Sequence, residues 1–158
     1  MKWVTRERPK IDRVACPWLI ARFVDQEAEF LFVPPARVKE VAAETGAIPY
    51  DVEGVELTHD GGRCSFDAIL AKYDLEGDRA LADLAVIVRG ADTARLDLAP
   101  ECAGLLAVSL GLSRVFADDH EQISHGFVVY DALLAWLREA RTETHTWNPQ
   151  RAPATRSA

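Results

Sequence analysis

Residues 8–23 read RPKIDRVACPWLIARF, and the way this stretch folds sets the rest of the chain. Val14, Trp18, Leu19, Phe23 and Val24 recur at roughly helical spacing, which predicts a helix, with Asp12 or Cys16 as its cap and Pro17 in its first turn. On either side lie strand-like segments, Lys2 to Thr5 and EFLFV at Glu29 to Val33, the second stopped by Pro34-Pro35. Further out, ARVKEVAAETG predicts a short helix closed by Gly46, and Ile48–Val52 with Val55–Thr58 predict two strands joined around Glu53-Gly54 in a hairpin-like turn. The polar loop HDGGRCS follows, and then helices are expected over Phe66–Tyr73, Arg79–Val88 and Pro100–Leu110, the last ending at Gly111. A final helix starts near Asp118 and carries Ile123, Phe127, Tyr130, Leu134 and Leu137 on one stripe. Strands crowd the first 60 residues and helices fill the rest, so the expected class is α+β: a small N-terminal sheet region with a helix-rich C-terminal half. One domain over 1–141 is expected, followed by a Pro-rich polar tail over 142–158 that reads as flexible.

Composition narrows the function classes. With 158 residues and 49% hydrophobic content, the chain has enough apolar material for one sizeable core. No stretch approaches the ~20 apolar residues of a membrane span, and no secretory signal is readable at MKWVTRERPK, so membrane insertion is not expected and a cytoplasmic location is. Cys16, Cys64 and Cys102 are an odd number of cysteines at long spacings, which suits free thiols in a reducing compartment. A net charge of -7 argues against direct nucleic-acid binding, which depends on basic surface. Any anion site must therefore be local.

The basic cluster Arg6, Arg8, Lys10, Arg13 and Arg22 around Cys16-Pro17 is one such locality. Arg6 and Arg13 flank a helix start, where backbone N–H groups and charge-assisted arginine bonds suit a tetrahedral oxyanion such as phosphate, sulfate or chromate. The same arginines also suit plain ion pairs with Asp12 and Glu7. Cys16 in that setting is expected to have a lowered thiol pKa and to be a candidate catalytic nucleophile, with simple packing as the plainer reading. In the second locality, residues 59–67, His59 is displayed beside Gly61-Gly62, and His59 with Cys64 could ligate zinc or iron. Ser65 reads there as a helix cap. Arg89 and Asp92, three apart in IVRGADT, could pair with each other or contact an anion. At the start of the last helix, Asp119 and His120 are further metal-ligand candidates, and Glu121 and His125 share a face. His120 lies roughly 140° around the helix from His125. The chain carries no Walker loop, GxGxxG, HExxH, GxSxG or paired-cysteine zinc signature.

Taken together, RxRPxIDRxACPWLIxRFVDxxAEFxFVP, HxGGxCSFD, IVRGADT and DDHEQ with GxxxYDALLAW resemble the C-terminal domain of the ChrB chromate-resistance family. The resemblance runs from about Lys2 to Arg138 in four ordered blocks, with Arg6, Arg13, Cys16, His59, Cys64, Arg89, Asp92, Asp119 and His120 as shared motif residues. It implies a role in bacterial chromate sensing or detoxification, with a small inorganic oxyanion as ligand. The expected partner is a chromate transporter or a rhodanese-like protein. In the long form of the family this domain follows a separate N-terminal region, and this chain is expected to be the short form without it. The leading expectation is that Arg6, Arg13, His59 and Arg89 bind an oxyanion, or that a metal at His59, Cys64, Asp92, Asp119 and His120 binds it. The rival is a metal- or thiol-dependent redox or sulfur-transfer enzyme working through Cys16 or a metal centre.

Overall fold

β1 (Lys2–Arg6) lies between β2 (Glu29–Val33) and β3 (Ile48–Pro49) in a three-stranded sheet, and both neighbours run parallel to it. The structure is a computed structural model describing residues 1–145. A parallel pair needs a crossover, and α1 (Asp12–Leu19), continued by a π-helical turn over Ile20–Val24, supplies it between β1 and β2. Being central, β1 is covered on both faces, so Trp3, Val4 and Thr5 are all buried. Trp3 enters the main core. Val4 meets Val38 and Ala47 in a smaller cluster beneath α2 (Val38–Thr45).

The remaining described elements are helical: α3 (Ser65–Lys72), α4 (Arg79–Asp92), α5 (Cys102–Val115) and α6 (Asp119–Ala135), the last extended by a π turn over Trp136–Ala140. The class is the expected α+β. All of α1 except Arg13 is buried, because α3, α4 and α6 pack around it. Trp18 sits at the centre, stacked on Phe66 at 6.4 Å between ring centroids and tilted against Tyr130 at 5.7 Å. Its indole N–H donates to Asp131 Oδ1 at 2.8 Å, so the buried ring keeps a partner for its one polar atom. The Tyr130 hydroxyl donates to Ile11 O at 3.0 Å, and Gln122 Nε2 donates to Pro9 O. These bonds tie the loop between β1 and α1 to α6.

Several local expectations are corrected. The helix starts at Asp12 and has no side-chain cap, which puts Pro17 in its interior rather than its first turn. The hairpin over 48–58 does not form. β3 is two residues long and pairs with β1; beyond it only an isolated bridge joins Tyr50 to Leu57. The Tyr50 N–H is already spent on Val4 O at 3.1 Å, so the segment belongs to the parallel sheet and not to its own hairpin. α4 runs past Val88 to Asp92, with Ala94 in a left-handed conformation (φ +57) just beyond it, and α5 runs through Gly111 to Val115. Ser65 is the first residue of α3, with Cys64 at the cap position. Of the tail expected over 142–158, residues 146–158 lie outside the described residues.

Close approach of α1 and α6 depends on Gly126, where an added Cβ would stand 2.4 Å from Val14 Cγ1. Gly126→Ala is therefore expected to destabilise the protein by about 1–3 kcal/mol in urea denaturation despite the better helix propensity of alanine. The same change made in a Val14→Ala background should cost close to nothing. An equal cost in both backgrounds would show that the contact does not set the helix spacing.

Candidate functional site

The site lies at the carboxyl ends of the parallel strands. Arg6 is the last residue of β1, Asp12 opens the helix that follows it, and Asp51 lies two residues beyond β3. Asp51 holds φ +50, a left-handed conformation that aspartate tolerates better than most residues and that turns the chain sharply away from the sheet. Asp92, the last residue of α4, and His59, in the loop before α3, complete the group.

Asp12 is the anchor. Its carboxylate is buried and accepts from Ser65 N at 2.8 Å, Phe66 N at 3.0 Å and Cys16 Sγ at 3.1 Å. It therefore caps α3 from a different helix, satisfying two of the unpaired N–H groups at that terminus and facing its partial positive charge. Asp67 completes the cap from within α3 by accepting from Cys64 N at 2.9 Å. Asp51 gathers Ser65 Oγ at 3.1 Å, Arg6 Nη2 at 2.6 Å and Arg13 Nε at 3.2 Å.

His59 Nε2 stands 3.1 Å from Asp92 Oδ2, 3.3 Å from Asp51 Oδ1 and 3.5 Å from Asp12 Oδ2. Its pKa is raised to about 9, first by the hydrogen bond to Asp12 and then by the surrounding carboxylate charges, so the ring is an imidazolium at neutral pH. Burial, reinforced by the charge of Asp12, holds the Asp92 carboxyl well above the usual carboxylate range. Three carboxylates thus share the charge of Arg6, Arg13 and the His59 proton.

Asp12, His59 and Asp92 each offer a ligand atom within 4.8 Å of the other two. Atoms bound about 2.1 Å from a tetrahedral ion stand about 3.4 Å apart, close to the spacings around His59 Nε2. One nitrogen and two carboxylate oxygens suit zinc or iron. His59 retains 44% side-chain exposure and, with Arg6, Asp51, Gly54 and Thr58, lines a cavity of about 490 Å³. The His59 side of the cluster is therefore open, as in metal sites that bind a further ligand.

Of the residues singled out from sequence, the fold brings Arg6, Arg13, His59 and Asp92 together. Arg13 is turned inward, donating from Nη1 to Arg6 O at 3.3 Å and Glu7 O at 3.0 Å, and its burial beside Arg6 lowers its pKa from the ordinary value. Arg89 is elsewhere, in a two-point bond to Asp67 at 2.7 and 2.9 Å, and not paired with Asp92. Asp119 is held by Arg8, and His120 packs edge-on against Phe32 at 5.3 Å. His125 stacks on Phe116 at 4.3 Å and shares no ligand group with Glu121. The Cys64 thiol faces Asp67 at 3.5 Å, and burial pushes its pKa up.

The expectation of a lowered thiol pKa at Cys16 is corrected. Full burial, and then the charge of Asp12, raise it well above the ordinary value, so the group is a protonated donor and not a thiolate. Asp51 was not singled out from the sequence, and Asp12 was read only as a cap or an ion-pair partner. The available signal was positional, because both follow the carboxyl end of a parallel strand, where ligands of open α/β sheets gather.

The chain matches the family described as ChrB, C-terminal domain, over residues 3–137. It is 34% identical over 140 residues to Protein ChrB of Cupriavidus metallidurans, an alignment covering 89% of this chain and 42% of that protein. The chain thus spans less than half the length of that relative. No solved structure matches it. A match over nearly the whole described fold, sheet and helices alike, places this chain in the ChrB C-terminal domain family.

Proposed function

We propose that this domain acts in chromate resistance by holding one divalent metal ion, zinc or iron, through Asp12, His59 and Asp92, and by taking a small oxyanion of the chromate or sulfate type in the adjoining cavity. The observation that carries this reading is the meeting of three ligand atoms beside an open cavity. Family membership supplies the chromate context. The metal would supply a positive centre for an oxyanion. Arg6 has one guanidinium nitrogen on Asp51 and lines the cavity, which supports it as the residue that would meet the anion. Asp51 and Arg13 brace that arrangement. Work beside a chromate transporter or a rhodanese-like partner is compatible with this role. A thiol-dependent sulfur transfer is not favoured, because Cys16 and Cys64 are both buried.

Elemental analysis and calorimetry test the metal. The wild-type protein should bind about one equivalent of zinc or ferrous iron, and His59→Ala and Asp92→Ala should each weaken that binding at least about tenfold. Unchanged stoichiometry and affinity in both variants would remove the site. The metal-loaded protein should then bind chromate or sulfate, and Arg6→Ala should weaken that binding about tenfold or more while leaving metal binding intact.

A pH series tests the same site without an anion. The His59 pKa is raised in the folded state, so its stabilising contribution is complete below the unfolded value and is lost as pH rises through about 9. Asp92 is also raised, so it too favours the folded state only while protonated. Metal-free protein should therefore melt at lower temperature at about pH 9 than at about pH 6, and His59→Ala should flatten this trend. Metal binding must expel these protons, so affinity should rise over the same window. A metal affinity independent of pH would contradict His59 as a ligand.

A further inference from the structure

The cavity beside His59 is larger than a free oxyanion needs. Four oxygens about one central atom fill on the order of 100 Å³, at about 30 Å³ for each water-sized group, whereas the cavity holds about 490 Å³. That volume lies in the range of sites that take organic ligands. A second hollow of about 420 Å³ adjoins it, and the two share Pro35, Val52, Glu53 and Gly54 as a common wall. Arg6 and His59 line only the first hollow, Ala36 and Lys39 only the second. Together they make one trough with a basic side chain at either end.

Lys39 is placed there by the fold. It follows Val38, which is fully buried with Val4 and Ala47, so the docking of α2 fixes where the lysine emerges. Its ammonium lies over the turn at Gly54, where an added Cβ would stand 3.0 Å from Lys39 Nζ. Gly54 is itself left-handed at φ +76, a conformation that favours glycine. Lys39 has no ion-pair partner among the described residues. The acids that follow it on α2, Glu40 and Glu44, are held by Arg37 at 3.1 and 3.9 Å. Glu53 shares the trough and is not within ion-pair distance of Lys39. Between the two ends, Val52 and Pro35 offer an apolar stretch, while Glu53 and Thr58 offer hydrogen bonds to hydroxyl groups. No Phe, Tyr or Trp among the described residues lines either hollow, so the trough has no platform for a nucleobase.

We propose that the trough takes a phosphorylated hydroxy acid, with its phosphate at Arg6 and His59, its short hydroxylated chain along Val52 and Glu53, and its carboxylate at Lys39. This rests on the Arg6 end being an oxyanion site and names the class of molecule that carries the oxyanion. With the divalent ion of that site in place, the Arg6 end holds a surplus of positive charge, which suits a phosphate monoester of nearly two negative charges. The single lysine suits a carboxylate. Asp51 links the two functions, because it holds Arg6 and also opens the turn that carries Val52, Glu53 and Gly54.

Calorimetry on the full chain loaded with zinc tests this, with inorganic phosphate, glycerol 3-phosphate, 3-phosphoglycerate and the longer 6-phosphogluconate as probes. At least one of the two phosphorylated acids should bind at least about fivefold more tightly than glycerol 3-phosphate, which lacks the carboxylate. Lys39→Ala should remove that advantage while leaving the affinity for glycerol 3-phosphate and the circular dichroism spectrum unchanged. Lys39→Arg should restore it, which separates recognition at Lys39 from simple chelation of the zinc. Equal binding of all three esters by the wild-type protein overturns the proposal while inorganic phosphate binding still upholds the oxyanion site. An advantage that survives Lys39→Ala overturns it as well. Where none of the four probes binds, the oxyanion reading of the Arg6 end falls and the proposal falls with it.

Discussion

A carboxylate buried between two helices governs this fold and its site alike. Asp12 belongs to α1, but its oxygens are held by the first N–H groups of α3 and by the Cys16 thiol. A charge without such partners is expensive to bury, and a helix terminus without an acceptor is equally unfavourable. Each defect cures the other, so α1 and α3 can meet only in this register. That register brings Phe66 onto Trp18 and sets His59, a few residues before α3, over the carboxylate cluster.

The charge balance of the site follows from the same contact. Burial and the nearby charge of Asp12 raise the cost of ionising Asp92, and the His59 proton relieves it. Asp51 is neutralised from the other side by Arg6 and Arg13. The basic knot around Cys16-Pro17 therefore has several separate uses. Arg6 and Arg13 hold Asp51. Arg8 reaches Ser113, Phe116 and Ala117 carbonyls at the end of α5, and Arg22 binds Asp131. An acidic chain gathers these four arginines because each one meets a specific carboxylate or helix end.

Much of the architecture was legible in the sequence. The apolar spacing through Val14 and Trp18 marks α1, EFLFV marks β2, and the stripe from Ile123 to Leu134 marks α6, since each pattern records one face turned to the core. His59 and Asp92 were legible as candidates for a related reason, each standing at the end of an apolar segment in a polar turn. Arg89 and His120 looked equally suitable by that measure. Asp67 and Phe32, far away in sequence, draw them elsewhere.

The sequence alone determined the periodicities, the free thiols, the acidic balance and the four motif blocks that mark the family, because these are properties of neighbouring residues. The tertiary structure decided that Ile48–Pro49 joins a parallel sheet rather than a hairpin, and that the Cys16 thiol stays protonated. It also decided that Asp12, Asp51, His59 and Asp92 form one cluster. Those outcomes depend on which distant partner claims a hydrogen bond or a charge. Local spacing carries no record of that competition.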